Sequence, residues 1–347
     1  MAMAKRQGQS MYTKITPILV IGFGSIGQRH YRNLLSLGYT NVAVHDTDHA
    51  KLKNMGVPIV HELTDGTLRK FPIVFICNPS HLHVPTALRA AKAGCHMFIE
   101  KPLALKTGHI KELDEVIRKN KLSVMVACNY RFHPAFDFLR KKIRSGKLGK
   151  PLLVNVAIGY DLRTARPGTP YQNTYAVSRV SGGGVIFDSG AHVIDYLLTL
   201  FGNVKSASAV SKNLILPIEA EDFASIQLEF KNDVFCTILL DYFSIPQRNF
   251  LEIQCVSGKI CWDVVQNNVT WTNAKGVAGI KKYYEGKDKG YARNDMFIRE
   301  VKYFMDVLNK KKITVSDVAH AEQVSILLSA LLQSTKTQKN VKVLAHP

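Results

Sequence analysis

The chain has 347 residues, of which 46% are hydrophobic and 21% charged. This length predicts two domains, and the composition excludes a disordered or fibrous protein because it supplies enough apolar side chains for sizeable cores. The net charge of +19 favours anionic partners such as nucleotides, phosphates or nucleic acid, but it is also typical of a solvated, lysine-rich surface.

Membrane insertion and secretion are not indicated. No apolar run approaches the roughly 18 residues that cross a bilayer, and residues 1–10 are not followed by the apolar core of a signal peptide. We therefore expect a cytoplasmic protein without a membrane partner. The six cysteines are scattered and none has Cys-x-x-Cys spacing, so we expect neither a disulfide framework nor a metal site.

The first third of the chain alternates short apolar runs with helical patterns, which is typical of parallel strands buried on both faces. Strands are predicted at residues 15–21, 41–46, 73–77, 95–99 and 123–128. Helices are predicted at residues 25–37, 84–93 and 107–120, the last with Thr107 as its capping residue. Residues 13–130 are therefore assigned to an α/β domain with a doubly wound parallel sheet.

After residue 130, longer alternating runs follow one another through short turns, which predicts antiparallel pairing. Strands are predicted at residues 152–160, 223–231, 234–243, 250–257 and 259–264, and helices at 189–201, 295–308 and 315–335. Residues 131–347 are therefore assigned to a second, α+β domain.

A Gly-x-Gly-x-x-Gly sequence follows the first predicted strand and begins a helix. Its glycines allow a tight turn, close approach of a pyrophosphate and packing of helix on strand. The second strand ends at Asp46, where a carboxylate can accept hydrogen bonds from an adenosine ribose and repel the additional phosphate of NADP. NAD is therefore favoured, although Arg29 leaves NADP open. The residues predicted to bind the cofactor here are Gly22, Gly24, Ser25, Ile26, Gly27 and Asp46.

Polar residues follow two further strands at the same edge of the sheet. Asn78 and Pro79 come after the strand at 73–77, where they either contact the cofactor or form an ordinary turn. Lys101 lies in the sequence Glu100-Lys101-Pro102 after the strand at 95–99, and the proline restricts its backbone. A desolvated lysine beside an oxidised nicotinamide suits proton exchange with a hydroxyl, while the alternative is a surface lysine.

Asp188 and His192 are four residues apart, so they share one face of the helix that follows Gly182-Gly183-Gly184. His192 can accept a hydroxyl proton, Asp188 can orient a substrate, and Asp195 can fix the imidazole. Taken alone, the pair is more commonly a helix cap and a buried core histidine.

The combination of these motifs resembles the Gfo/Idh/MocA family of sugar and cyclitol oxidoreductases. The resemblance spans nearly the whole chain, through residues 22–27, 78–83, 100–102, 129–132 and 182–192. It implies an N-terminal Rossmann domain and a C-terminal domain whose open, mostly antiparallel sheet forms a homodimer or homotetramer contact. It also implies that Lys101 is catalytic and that Asp188 and His192 hold and deprotonate a substrate hydroxyl.

The resemblance extends to neighbouring positions. Glu100 and His83 match positions beside the nicotinamide and its ribose, and Asn129 and Arg131 match a strand end that borders the active site. The predicted cofactor contacts therefore also include Asn78, Pro79, His83, Glu100, Lys101 and Asn129.

The segment at 160–175 carries arginines and tyrosines that suit sugar hydroxyls, carboxylates or phosphates, although it also fits an exposed loop. Tyr175 belongs to this segment. The residues predicted to bind substrate are Lys101, Arg131, Tyr160, Arg163, Arg166, Tyr171, Asp188 and His192.

These observations predict an NAD-dependent dehydrogenase that transfers hydride between a secondary hydroxyl of a sugar-type substrate and nicotinamide. An anionic or nucleotide-linked sugar is favoured, because the glycine loop and the Arg-Pro segment resemble members from surface-polysaccharide pathways. The alternatives are a free cyclitol or aldose dehydrogenase, an oxidoreductase that recycles bound NAD, and a dinucleotide-sensing regulator. We expect no nucleic-acid partner, since no recognition-helix motif or aromatic-interleaved basic patch is present.

Overall fold

The computed structural model describes residues 11–53, 55–166, 168–283 and 293–343. Within these residues, the N-terminal sheet contains parallel strands that are buried on both faces, which explains their continuous apolar runs. They are β1 (Ile18–Ile21), β2 (Val42–His45), β3 (Ile73–Ile76), β4 (His96–Ile99) and β5 (Val124–Val126), in the order β2-β1-β3-β4-β5. The predicted doubly wound sheet is confirmed, with every strand somewhat shorter than predicted.

Helices connect and cover these strands. They are α1 (Ser25–Ser36), α2 (His49–Leu52), α3 (Asp65–Leu68), α4 (His83–Lys92) and α5 (Ile110–Lys119). The prediction that Thr107 caps the last of them is wrong, because His109 occupies the cap position and Thr107 only accepts a turn hydrogen bond from the Ile110 amide.

The C-terminal part contains an open sheet of nine strands among the residues described, in the order β13-β12-β11-β10-β6-β9-β8-β7-β14. Neighbouring strands are antiparallel except β6 and β9, which are parallel, so the mostly antiparallel sheet is confirmed. The strands are β6 (Pro151–Gly159), β7 (Val204–Lys212), β8 (Phe223–Phe230), β9 (Phe235–Asp241), β10 (Arg248–Cys255), β11 (Gly258–Asp263), β12 (Asn268–Asn273), β13 (Ala278–Lys282) and β14 (Val341–Lys342). The helices are α6 (Pro134–Arg144), α7 (Val185–Phe201), α8 (Asp295–Leu308) and α9 (Val318–Thr337).

One face of this sheet is covered by α7 and α9, whose apolar residues, including Leu197 and Leu328, join a core with Ile226 and Ile238 of the strands. The opposite face carries exposed apolar residues. Leu153 of β6 and Phe235 of β9 are paired across neighbouring strands, and each is 52% exposed. Among the described helices, none combines the length and apolar character that a membrane span requires.

Helix α8 packs against the N-terminal sheet, although it follows the second sheet in the chain. The Phe304 ring lies 5.9 Å from the ring of Phe75 and 5.6 Å from that of Phe98. The domain boundary between residues 130 and 131 therefore stays a prediction. It divides the chain but not the two cores, because residues after this boundary contribute to both. Residues 284–292 and 344–347, which were assigned to the second domain, lie outside the described residues.

Candidate active site

The glycine loop between β1 and α1 has the geometry that a dinucleotide requires. Gly22 has a φ of +89°, and a Cβ on it would lie 2.4 Å from the Asn78 amide nitrogen. A Cβ on Gly27 would lie 2.0 Å from the Gly22 carbonyl oxygen, whereas one on Gly24 meets nothing within 4 Å. The first and third glycines therefore permit close packing, and Gly24, directly before α1, leaves room for a phosphate at the N-terminus of that helix.

Asp46 follows β2 and faces this loop. Its Oδ2 accepts a hydrogen bond of 2.6 Å from the Phe23 amide, which holds the carboxylate beside the position of an adenosine ribose. Asn78 follows β3, and its shielded Oδ1 has no hydrogen-bond partner among the described residues. A bound ligand can supply the missing donor, so this set fits a dinucleotide. Ser25 and Ile26 form the start of α1, and Pro79 lies at the same sheet edge.

His83 is not placed to contact a cofactor through its ring nitrogens. The residue is 1% exposed, with Nε2 2.8 Å from the Asn78 carbonyl oxygen and Nδ1 2.8 Å from that of Pro102. Both ring nitrogens therefore face backbone carbonyl oxygens, and a neutral ring donates to one of the two. The predicted cofactor contact is wrong in this respect, and His83 instead joins the chain after β3 to the chain after β4.

Glu100 lies behind Lys101 as a buried carboxylate. Its Oε1 is 2.7 Å from Nε2 of His30, and its Oε2 accepts a hydrogen bond of 3.3 Å from the Lys101 amide. Burial alone would raise the pKa of Glu100, but the hydrogen bond and charge of His30 and the charge of Lys101 hold it below its ordinary value. Glu100 therefore contributes negative charge beneath Lys101, and His30 is a partner that the sequence motifs did not indicate.

Lys101 and Asp188 meet between the two domains. The Lys101 ammonium donates to Asp188 Oδ1 at 3.1 Å and to the Asp188 carbonyl oxygen at 3.0 Å. Their side chains are 16% and 14% exposed, so the ion pair is largely shielded. Burial opposes ionisation of Asp188, but Lys101 and the Tyr175 hydroxyl lower its pKa to about 2. Asp188 is therefore a carboxylate at neutral pH.

Tyrosine hydroxyls surround the same carboxylate. Tyr175 donates to Oδ1 at 2.5 Å, and Tyr160 and Tyr242 each donate to Oδ2 at 3.2 Å. Tyr160 was predicted at the site. Tyr242 was missed, because it lies inside the apolar run predicted as the strand at 234–243 and has the pattern of a core residue. Only its contact with Asp188 reveals it.

His192 lies one helical turn beyond Asp188, with its ring 5.1 Å from that of Tyr130. Burial, and then the nearby charge of Lys101, lower the pKa of His192 to about 3. The imidazole is therefore neutral at neutral pH, and one of its ring nitrogens is a hydrogen-bond acceptor.

The predicted contact of Asp195 with His192 is wrong. Asp195 accepts hydrogen bonds of 2.8 Å from Nε and 2.6 Å from Nη2 of Arg131, and it lies 3.0 Å from His320 Nε2. Arg131 and Asp195 are 8% and 5% exposed, so this pair fastens the chain after β5 to α7 and α9. The predicted role of Arg131 in substrate binding is therefore also wrong, because its guanidinium is committed to buried protein acceptors.

Of the remaining predicted residues, only some lie near Asp188. Arg163 pairs with Asp161 at 2.8 Å while 47% exposed, outside the group around Asp188. The Arg166 guanidinium lies 5.3 Å from the centre of the Tyr175 ring, which brings it to the site. Tyr171 packs at the edge of the C-terminal core, and the buried Asn129 donates to Met296 Sδ of α8. The cofactor contact of Asn129 stays a prediction.

The triple glycine determines where α7 begins. Gly184 has a φ of +89°, and a Cβ on it would lie 2.4 Å from Glu221 Oε1. That oxygen accepts a hydrogen bond of 3.2 Å from the Ile186 amide, and the Glu221 carbonyl accepts one from Val185. Glu221 therefore caps α7, which begins four residues before the predicted start at residue 189 and places Asp188 in its first turn.

The chain belongs to the Gfo/Idh/MocA oxidoreductase family. Residues 17–128 match the family described as an oxidoreductase family with an NAD-binding Rossmann fold, and residues 136–261 match the Gfo/Idh/MocA C-terminal domain. The resemblance found in the sequence motifs and the expectation of an NAD-binding domain are both confirmed.

Individual relatives resemble this chain to different extents. An uncharacterised oxidoreductase of Synechocystis sp. is 33% identical over 200 residues, a match that spans 54% of this chain and about half, 53%, of that relative. Myo-inositol 2-dehydrogenase of Thermotoga maritima is 24% identical over 342 residues, covering 93% of this chain and 97% of the relative. A levoglucosan dehydrogenase solved with NADH and levoglucosan has the same fold, with a TM-score of 0.81, 20% identity and coverage of 94% and 99% of the two chains.

Proposed function

We propose that the protein is an NAD-dependent dehydrogenase that transfers hydride between a secondary hydroxyl carbon of a sugar-type substrate and nicotinamide. The observation that carries this proposal is the meeting of Lys101, from the end of β4, with Asp188 of α7. His192 lies on the same helix as Asp188. These residues lie at the carboxyl end of the sheet, where dinucleotides bind in open α/β folds.

Each of these side chains has a chemical role that follows from its contacts. NAD supplies the hydride acceptor when it is bound. Neutral His192 accepts the hydroxyl proton, and Asp188 holds the Lys101 ammonium in place. Two of the three N–H groups of that ammonium donate to Asp188. In the described part of the chain, the ammonium has no other hydrogen-bond acceptor. The third donor is therefore left for the substrate oxygen.

For the substrate we propose an anionic or nucleotide-linked sugar, from a polysaccharide-related pathway in the cytoplasm. Arg166 beside Tyr175 supports this choice, since a guanidinium binds carboxylate or phosphate in a bidentate manner. A free cyclitol or aldose is the second candidate. The names of two relatives, myo-inositol 2-dehydrogenase and levoglucosan dehydrogenase, favour it because both compounds are uncharged.

The test combines a substrate panel with two variants. Uronates, nucleotide sugars, inositols and neutral aldoses are assayed with NAD by the absorbance of NADH. In Lys101→Ala and in His192→Ala, kcat/KM for any substrate found should fall about 100-fold or more, because general acid-base groups usually contribute that much. Lys205→Ala, which changes an exposed sheet residue, is the control. Retention of kcat/KM within about threefold in both variants would contradict the assignment.

We also propose that the chain forms a homodimer or homotetramer through the open face of its C-terminal sheet. The half-exposed, adjacent Leu153 and Phe235 support this, since contiguous exposed apolar side chains mark interaction surfaces. Leu153→Glu combined with Phe235→Glu should lower the mass measured by light scattering to that of one chain. The same mass as the unmodified protein would count against this face.

A further inference from the structure

The carboxylate of Asp188 already accepts as many hydrogen bonds as its lone pairs allow. Within the described residues, Oδ1 accepts from Lys101 and Tyr175, and Oδ2 accepts from Tyr160 and Tyr242. A carboxylate offers about four lone-pair directions, so these donors saturate it. A substrate hydroxyl therefore reaches Asp188 only if one of the present donors leaves.

Three of the four donors are firmly held. Lys101 also binds the Asp188 carbonyl oxygen at 3.0 Å. Tyr242 is 0% exposed, and its ring lies 5.4 Å from that of Tyr160, whose amide bonds to the Asp241 carbonyl at the end of β9. Both side chains pack in or against the C-terminal core, so rotation of either would break that packing.

Tyr175 is held differently. It begins a short 3-10 turn, Tyr175–Val177, and the residue is 37% exposed although its hydroxyl contacts Asp188. The adjacent backbone is fixed, because the Ala176 carbonyl accepts from the Gly184 amide and the Val177 carbonyl accepts from the Ala220 amide. A side-chain rotation of Tyr175 toward solvent therefore frees one acceptor position on Oδ1, beside the Lys101 ammonium, without breaking a strand or helix.

The Tyr175 hydroxyl also has the chemistry of the group that it would exclude. It is an O–H donor at 2.5 Å from Oδ1, the same oxygen that the Lys101 ammonium contacts at 3.1 Å. A sugar hydroxyl in the place of the Tyr175 hydroxyl would contact both Asp188 Oδ1 and the Lys101 ammonium. Arg166 lies over the Tyr175 ring, so an anionic group bound to Arg166 would approach the ring that has to move.

We propose that Tyr175 is a specificity-determining residue whose hydroxyl occupies the place of a substrate hydroxyl on Asp188 and is displaced when substrate binds. This inference rests on the proposed function. It defines the substrate class as a polyol with neighbouring hydroxyls, one of which reacts while a second replaces Tyr175 on Oδ1. A monohydric secondary alcohol such as cyclohexanol lacks the second group and leaves Tyr175 in place.

The experiment compares Tyr175→Phe with Tyr242→Phe, because each removes one hydroxyl from Asp188 but only Tyr175 is proposed to move. Myo-inositol and glucuronate are the probes, and the one that the unmodified protein oxidises is used. Tyr175→Phe should lower KM about tenfold, since a competing hydrogen bond to a charged group is lost. Tyr242→Phe should not lower KM. An unchanged or raised KM in Tyr175→Phe would overturn the proposal.

A binding measurement separates this proposal from the function on which it rests. The same two probes are titrated calorimetrically into each protein saturated with NADH, so that no oxidation takes place. The dissociation constant of the better-bound probe should fall about tenfold in Tyr175→Phe relative to Tyr242→Phe. If Lys101→Ala keeps full activity, the proposed function fails, yet this titration still tests Tyr175. If Lys101→Ala is inactive and the titration shows no tightening, only the displacement proposal fails.

Discussion

The ammonium of Lys101 lies 3.1 Å from Oδ1 of Asp188, although the two residues are 87 positions apart in the chain. One residue follows a strand of the first sheet, and the other lies in the first turn of α7, above the second sheet. The contact therefore brings the two domains together at the place where the proposed chemistry needs both.

Asp188→Asn tests how far this ion pair supports turnover. The variant keeps the shape of the side chain but leaves the shielded Lys101 ammonium without its charge partner, so kcat/KM should fall about 100-fold. NAD binding, followed by protein fluorescence, should be retained. Asp306→Asn, which affects the more exposed pair with Lys312, is the control and should leave kcat/KM unchanged.

Gly184→Ala should destabilise the protein and reduce activity, because the added Cβ collides with Glu221 and displaces the start of α7. Gly202→Ala is the matched control, since Gly202 has a φ of +78° and nothing within 4 Å of an added Cβ. Both glycines combine a positive φ with an extended ψ, a region that essentially only glycine adopts, so backbone strain alone costs about 1–3 kcal/mol in either variant. Denaturant unfolding should therefore show a larger loss for Gly184→Ala, and equal losses would argue against Glu221 as the cap.

Asp195→Ala should lower the free energy of unfolding by about 3–5 kcal/mol, because it leaves Arg131 buried without its acid partner. Glu252→Ala removes the acid from the exposed pair with Lys259 and should cost less than about 1 kcal/mol. Urea unfolding measures both. Similar losses in the two variants would show that the Arg131–Asp195 pair does not fasten α7.

Acid should destabilise the protein partly through His133. Burial, and then the charge of Arg299, lower the pKa of His133 from 6.5 to about 4. Below the ordinary pKa the unfolded chain binds a proton that the folded protein does not, so stability falls as pH drops from 6.5 toward 4, by about 3 kcal/mol for this residue.

His133→Asn isolates this effect. His133 Nδ1 accepts the Ala135 amide at 3.0 Å as the cap of α6, and asparagine caps helices without titrating. The variant should lose less stability than the unmodified protein between pH 6.5 and 4, whatever its stability at pH 7. His109→Asn, at an exposed histidine, is the control. An unchanged pH dependence in His133→Asn would assign the acid sensitivity elsewhere.

Asp46→Ala should weaken the preference for NAD over NADP. The carboxylate no longer repels a ribose phosphate and no longer holds the Phe23 amide, so KM for NAD should rise while that for NADP falls. Asp48→Asn, two residues beyond the loop contact, is the control. Steady-state titrations with both cofactors measure the effect, and the same NAD:NADP ratio in Asp46→Ala and unmodified protein would contradict it.

Much of the fold could be predicted because buried parallel strands have continuous apolar sequences. Strand β7, with the sequence VKSASAVSK, was missed because its serines and alanines lack an apolar pattern. Helix α6 begins with Pro134 after a histidine cap, so the usual Ser, Thr, Asp or Asn signal is absent.

The candidate site was predictable where short motifs carry it, at Lys101, Asp188 and His192. The direction of a side chain was not, because it depends on residues far along the chain. Asp195 is drawn to Arg131 and His320, which lie 64 and 125 positions away, and no local spacing reveals that competition.

The packing of α8 on the first sheet affects the order in which the chain folds during its synthesis. Cys128, just after β5, donates its amide to Glu300 of α8 across 172 positions, and Phe304 packs on the rings of Phe75 and Phe98. Most of the polypeptide must therefore emerge from the ribosome before α8 can cover those aromatic rings. We therefore expect the nucleotide-binding half to complete its core only after α8 is made, in contrast to the N-terminal-first order in which multidomain proteins generally fold during translation.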